Sequence, residues 1–152
     1  MRARQGMTRP HTVLAFDFGL KRIGIAGGDT LTRQAAPRVA ATVHRGVPDW
    51  QAITREVRLL TPAVLVVGAP YNADGSEGTL LAAARRFAAE LERRFALPVQ
   101  LVDERFSSLE ANEALKVRRA GGARGRIERA DIDSAAAAVI LGRWFQGEGE
   151  GT

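Results

Sequence analysis

The sequence predicts an α/β domain: a mixed sheet of about five strands, with helices on both faces. Three of the strands form an antiparallel meander and the others run parallel. Three observations lead there. Near the start, two apolar runs, "TVLAFDF" (12–18) and "RIGIAGG" (22–28), are separated by only three residues. Further on, "PAVLVVG" (62–68) and "LPVQLVDE" (97–104) are short, almost continuously apolar runs, the pattern of interior parallel strands. Segments of helical period lie between and after them.

In chain order, a tight turn at Gly19 to Lys21 joins the first two strands, and "PRVAATV" (37–43) supplies the third. In "VPDWQAITREVRLL" (47–60), Pro48 and Asp49 mark a helix start, and Trp50, Ile53, Val57 and Leu60 share one helical face. "APYNADGSEG" (69–78) is loop by composition. From Thr79 to Phe95, Leu80, Ala84, Phe87, Leu91 and Phe95 recur at helical spacing. A helix over 107–119, a glycine-rich basic loop and a helix over 131–146 complete the order. With no repeat and no linker, residues 12–146 read as one domain, 1–11 as a basic tail and 147–152 as a flexible C-terminal tail.

The 152 residues suffice for one substantial core, and 45% hydrophobic with 26% charged residues is ordinary for a soluble protein. No apolar run approaches the roughly 20 residues that cross a bilayer, and "MRARQGMTRPH" lacks a signal-peptide core. The expected location is the cytoplasm, with no membrane partner. The absence of cysteine excludes disulfides, thiolate metal sites and a cysteine nucleophile. The net charge of +5 is unevenly placed: residues 1–11 carry +3, "KVRRAGGARGRIER" (116–129) carries +5, and the rest sums to −3. A basic tail and a basic loop suit a polyanion, although 20 of the 22 bases are Arg and solvated arginines alone would give the same balance. Arg118, Arg119, Arg124 and Arg126, among glycines that leave the backbone free, are expected to fork onto phosphates. Asn72 and Ser76 are expected polar contacts from a loop beside the site; the alternative is a turn in which Asn72 and Asp74 satisfy their own backbone.

Asp17 stands inside "LAFDFG", where a buried strand wants an apolar residue. Burying an unpaired carboxylate costs several kcal/mol, so it needs a partner, a proton or a metal. Asp103 and Glu104 end a strand, and Asp131 and Asp133 open an alanine-rich helix, where an acid also serves simply as a cap. Carboxylates about 4 Å apart repel by roughly 4 kcal/mol at an effective dielectric near 20. Acids that converge therefore call for a cation. Mg²⁺ or Mn²⁺ accepts carboxylate and water ligands, and a two-metal site suits phosphoryl displacement. Strand alternation lets only one of Asp103 and Glu104 face Asp17 and does not choose between them.

Four pieces, "LAFDFGLKRIGIA", "VVGAPYNADGSEG", "DERFSS" and "IDSAAAAVIL", resemble in order and spacing the YqgF/RuvX family, pre-16S rRNA nucleases by designation and relatives of Holliday-junction resolvases. The resemblance runs from residue 12 to about 146. It implies a ribonuclease H-like fold and a metal-dependent nuclease trimming the 5′ end of precursor 16S rRNA. Carried over residue by residue, the family's acids fall on Asp17, Glu104 and Asp133 as catalytic and metal-binding groups. Asp103 and Lys21 are then expected to support them, with Arg105 joining the nucleic-acid contacts. Gly27-Gly28 stand where many relatives have a larger residue before the acid, so the second strand is expected to end early or bulge, and Ala69 stands where a leucine is usual, which bears on loop packing. RNA is the expected partner and structured or branched DNA the next, for a monomer or weak homodimer. Two other functions fit parts of the chain. "DFGLKRIGIA" also resembles the phosphate loop of the actin and sugar-kinase superfamily, which needs two such domains. A non-catalytic RNA-binding assembly factor would need only the basic segments.

Overall fold

A computed structural model describes residues 9–69, 78–103 and 129–151. Its described elements run β1 (Thr12–Asp17), β2 (Arg22–Asp29), β3 (Ala35–His44), β4 (Val47–Pro48), α1 (Trp50–Leu60), β5 (Val64–Ala69), α2 (Thr79–Phe95), β6 (Val99–Asp103) and α3 (Arg129–Gly151). The expected helix over 107–119 and the basic loop lie outside the described residues.

The strands form one sheet in the order β4-β3-β2-β1-β5-β6. β1, β2 and β3 make the expected antiparallel meander, and β5 and β6 lie parallel to β1. Among the described residues the strands number six rather than about five. Val47 and Pro48 pair back onto β3 after the Arg45-Gly46 turn, so the helix begins only at Trp50. Asp49 caps it, its Oδ1 accepting from the Ala52 N–H at 3.1 Å.

Alternation along the strands sorts the core into two layers. Leu14 and Phe16 of β1, Ile23 and Ile25 of β2, and Leu65 and Val67 of β5 pack with Ile53 of α1 and Ala84, Phe87 and Leu91 of α2. Val13, Ala15, Ala26 and Val66 face the other way, onto Ala137, Ile140, Leu141, Trp144 and Phe145 of α3. Helices therefore cover both faces, as the sequence predicts. Phe87 anchors the first layer, with its ring centroid 5.6 Å from Phe16, 5.3 Å from Phe18 and 5.6 Å from Trp50.

The expected early end or bulge at Gly27-Gly28 is not found. β2 runs on to Asp29, and both residues keep their register with β1 and β3. Close approach explains the glycines: a Cβ on Gly28 would lie 2.2 Å from the Gln34 carbonyl oxygen, and one on Gly27 3.0 Å from Leu60 Cδ1. The irregularity falls instead between Ile23 and Ile25, where the pairing with β3 shifts. Among the described residues no helix is long and apolar enough to cross a membrane.

Candidate active site at the carboxyl edge of the sheet

β1, β5 and β6 are parallel, so their carboxyl ends share one edge of the sheet, where α/β sheets gather ligands. Asp17 is the last residue of β1 and Asp103 the last of β6. Asp17 is half-buried and continues the parity of Val13 and Ala15, which lie on the α3 layer. It pairs with Gly24 of β2. On the other side Phe16 pairs with Val67, so the same register carried one residue further sets Asp17 level with Gly68. Gly68 in turn pairs with Val102 of β6. Asp17 is thus flanked on both neighbouring strands by residues without side chains. Two strand spacings, roughly 10 Å, separate it from β6.

The start of α3 is fixed over the same place. Ser134 is fully buried. Its Oγ accepts from the Ile25 N–H at 3.3 Å and donates to the Arg38 carbonyl oxygen, bridging β2 and β3 beside the shifted register. Ile25 pairs with Phe16, one rung from the Asp17–Gly24 pair. Asp133 is the residue before Ser134, so its backbone is brought to that edge. Ser134 is the positioning group that the sequence reading missed. Its only sequence signal is a hydroxyl next to the acid in "IDSAAAA".

β6 is tied to the same layer. Trp144 Nε1 of α3 donates to Gln100 Oε1 at 2.8 Å, and Val102 packs against the α3 cluster. Positions 100 and 102 therefore share the α3 face, while Leu101 is exposed on the alternate parity.

Lys21 is exposed in the β1–β2 turn, four residues after Asp17, and its carbonyl accepts from the Val43 N–H at 2.8 Å. A Cβ on Gly19 in this turn would lie 2.6 Å from the Arg22 carbonyl oxygen, which accounts for the glycine there. Glu104, Asn72, Ser76, Arg105, Arg118, Arg119, Arg124 and Arg126 lie outside the described residues, and Asp103 and Asp133 are placed by their backbone alone. Among the described residues no three His, Cys, Asp or Glu side chains gather as a metal site.

The profile of the family described as "RuvX: Holliday junction resolvase" matches residues 11–147. A protein of Edwardsiella ictaluri, described as "Putative pre-16S rRNA nuclease", is 45% identical over 139 residues, covering 91% of this chain and 97% of its own length. One from Legionella pneumophila with the same description is 47% identical over 133 residues, 88% of this chain and 94% of that protein. Among solved structures, Thermus thermophilus RuvC in complex with a Holliday junction superposes with a TM-score of 0.54 at 18% identity, covering 92% of this chain and 96% of that one. The fowlpox virus resolvase bound to junction DNA gives 0.53 at 10% identity, with 90% and 98% covered. At such identities the likeness is one of fold, the ribonuclease H-like arrangement of resolvases. The sequence match is of another order, and by it this chain belongs to the RuvX (YqgF) family.

Proposed function

We propose that this chain is a metal-dependent nuclease of the cytoplasm, hydrolysing phosphodiester bonds at the 5′ end of precursor 16S rRNA. One observation carries the reading: an acid, Asp17, stands between two glycines on the sheet edge over which Ser134 holds the start of α3. The relatives' description as pre-16S rRNA nucleases supports the substrate. Asp17, Glu104 and Asp133 form the proposed catalytic set, with Asp103 and Lys21 in support. The family resemblance assigns the role to Glu104 rather than Asp103, and residues 100 and 102 of β6 lie on the α3 face of the sheet as Asp17 does.

The donor chemistry fits a hard divalent cation. The candidate ligands are carboxylate oxygens, and cysteine is absent from the chain. Asp17, Glu104 and Asp133 would hold Mg²⁺ or Mn²⁺, which when bound supplies Lewis acidity toward the phosphate and a more acidic water. The chain's own part is placement. The strand end fixes the Asp17 backbone, the glycines on either side leave the approach clear, and the α3 layer screens the edge from below. Arg105, Arg118, Arg119, Arg124 and Arg126 would neutralise flanking phosphates, with Asn72 and Ser76 as polar contacts. The protein acts as a monomer or weak homodimer in this account.

The test offers single-stranded precursor RNA, structured RNA, single-stranded DNA and a four-way junction to the purified protein with Mg²⁺ or Mn²⁺, with and without chelator. Chelator-sensitive RNA cleavage is expected. Symmetric nicking of the junction alone would favour the resolvase activity named in the family's description. Binding without any cleavage would favour an assembly factor.

A further inference from the structure

On the side of the sheet away from α3, α1 and the end of α2 enclose an open groove of about 790 Å³. Its lining runs along α1 through Trp50, Thr54, Arg55, Arg58 and Leu59, and is completed by Arg94 of α2. Among the described residues three arginines line it and no acid does. Arg55 and Arg58 are exposed and one helical turn apart, so their Cβ atoms lie roughly 5–6 Å from each other.

Arg94 is held in advance. Its guanidinium lies 4.1 Å from the centroid of the Trp50 ring, and its Nε donates to Glu90 Oε2 at 2.7 Å. Glu90 also pairs with Arg93, so this acid is shared between two cations and leaves the patch positive. The acid of α1, Glu56, is engaged by Arg38 of β3 at 2.7 Å and is not part of the lining. Leu59, 63% exposed, adds an apolar surface between the charges.

The groove also reaches toward the carboxyl edge, on the opposite face of the sheet from Asp17. It opens at Trp50, whose ring stacks on Phe87; Phe87 touches Phe18, the residue after Asp17. It then follows α1 for roughly 13 Å, at 1.5 Å per residue from Trp50 to Leu59. The Trp50 ring already carries Phe87 stacked against it and the Arg94 guanidinium over it. The guanidinium donors grip a phosphate backbone without reading sequence, and Leu59 offers apolar surface beside them.

We propose that this groove holds the single-stranded flank of the RNA substrate as it leaves the carboxyl edge, with Arg55, Arg58 and Arg94 on consecutive phosphates. This rests on the nuclease reading and adds to it a second contact zone, distinct from the glycine-rich basic loop. A strand that turns over the edge at Phe18 would gain affinity from length alone.

The experiment measures binding by fluorescence anisotropy in chelator, so that no cleavage occurs. Two labelled single-stranded RNAs share the cleavable segment, one of about 8 nucleotides and one of about 24, bracketing known single-strand site sizes. For the Arg55→Gln/Arg58→Gln protein, the salt dependence of affinity for the long RNA should flatten by about 1.4 in log–log slope, from about 0.7 per lost phosphate contact. The affinity advantage of the long RNA over the short should fall with it, and Arg55→Lys/Arg58→Lys should restore both. An unchanged slope and length advantage in the glutamine protein would overturn the groove alone. So would equal losses on both RNAs. A folded wild-type protein that binds neither RNA would overturn the nuclease reading and the groove with it.

Discussion

Replacing Ser134 by alanine removes one oxygen atom and takes a partner from two backbone groups, one buried and one part-buried. The Ile25 N–H loses its acceptor at 3.3 Å, and the Arg38 carbonyl loses its donor. Each unsatisfied buried group costs about 1–3 kcal/mol, and alanine fills the site without strain, so the loss should be about 2–4 kcal/mol. The rest of α3 stays docked, because Ala137, Ile140, Leu141, Trp144 and Phe145 bury the helix independently of the hydroxyl. For a chain of this length, about 3 kcal/mol lowers Tm by roughly 6–12 °C. Urea unfolding should show a lower midpoint with an unchanged m-value. Because Asp133 is the preceding residue, cleavage measured well below the melting range should fall by about tenfold to a hundredfold, the scale of a displacement near 1 Å in a catalytic group. A Ser134→Ala protein melting within about 1 °C of wild type, with full activity, would refute the assignment of this serine as the strut that aligns α3 with the edge.

Gly28→Ala should destabilise by about 1–3 kcal/mol in urea titration, since its Cβ would meet the Gln34 carbonyl oxygen at 2.2 Å and Phe145 Cε2 at 3.1 Å. Ala96→Gly should raise stability by about 1 kcal/mol, because exposed Ala96 ends α2 in the left-handed region at φ 54° and glycine adopts it without a Cβ penalty. Arg38→Ala should cost about 1–2 kcal/mol, leaving mostly buried Glu56 without its guanidinium partner; adding Glu56→Gln should recover part of the loss. Asp29 is held below its ordinary value of 3.8, chiefly by the Thr32 N–H and further by the Leu31 N–H. A lowered folded-state pKa contributes stability that is present above the unfolded value and lost as pH falls through the folded one. Asp29→Asn should therefore narrow the difference between melting at neutral pH and melting below pH 4.

β5 was legible because burial on both faces makes it continuously apolar. β6 reads as interior by the same pattern, yet it is the last described strand of the sheet and Leu101 is exposed on one of its faces. β4 was not legible: two residues carry no periodicity, and Pro48-Asp49 before Trp50 is equally the entry to a helix. The glycines of β2 misled for a physical reason. A glycine in a strand marks either a bulge or a close approach, and only the packing of Gln34 and Leu60 decides which. The real irregularity, at Ile23–Ile25, is bridged by a side chain 109 residues further along, beyond the reach of any local pattern. Asp17 was legible for the opposite reason, as an acid set among residues that are otherwise buried. Which parity of β6 faces α3 was not. The strand is apolar on both sides, and the Trp144–Gln100 hydrogen bond supplies the answer that alternation alone could not.

Asp17, Glu104 and Asp133 are proposed to act together on one phosphodiester, with Asp103 in a lesser role. Single-turnover cleavage of a single-stranded precursor rRNA fragment in Mg²⁺ or Mn²⁺ tests this, comparing Asp17→Asn, Glu104→Gln, Asp133→Asn and Asp103→Asn proteins shown by circular dichroism to be folded. The first three should lose cleavage to the level of the chelated wild type, while Asp103→Asn retains part of it. An active Glu104→Gln beside an inactive Asp103→Asn would reverse the assignment of the two acids.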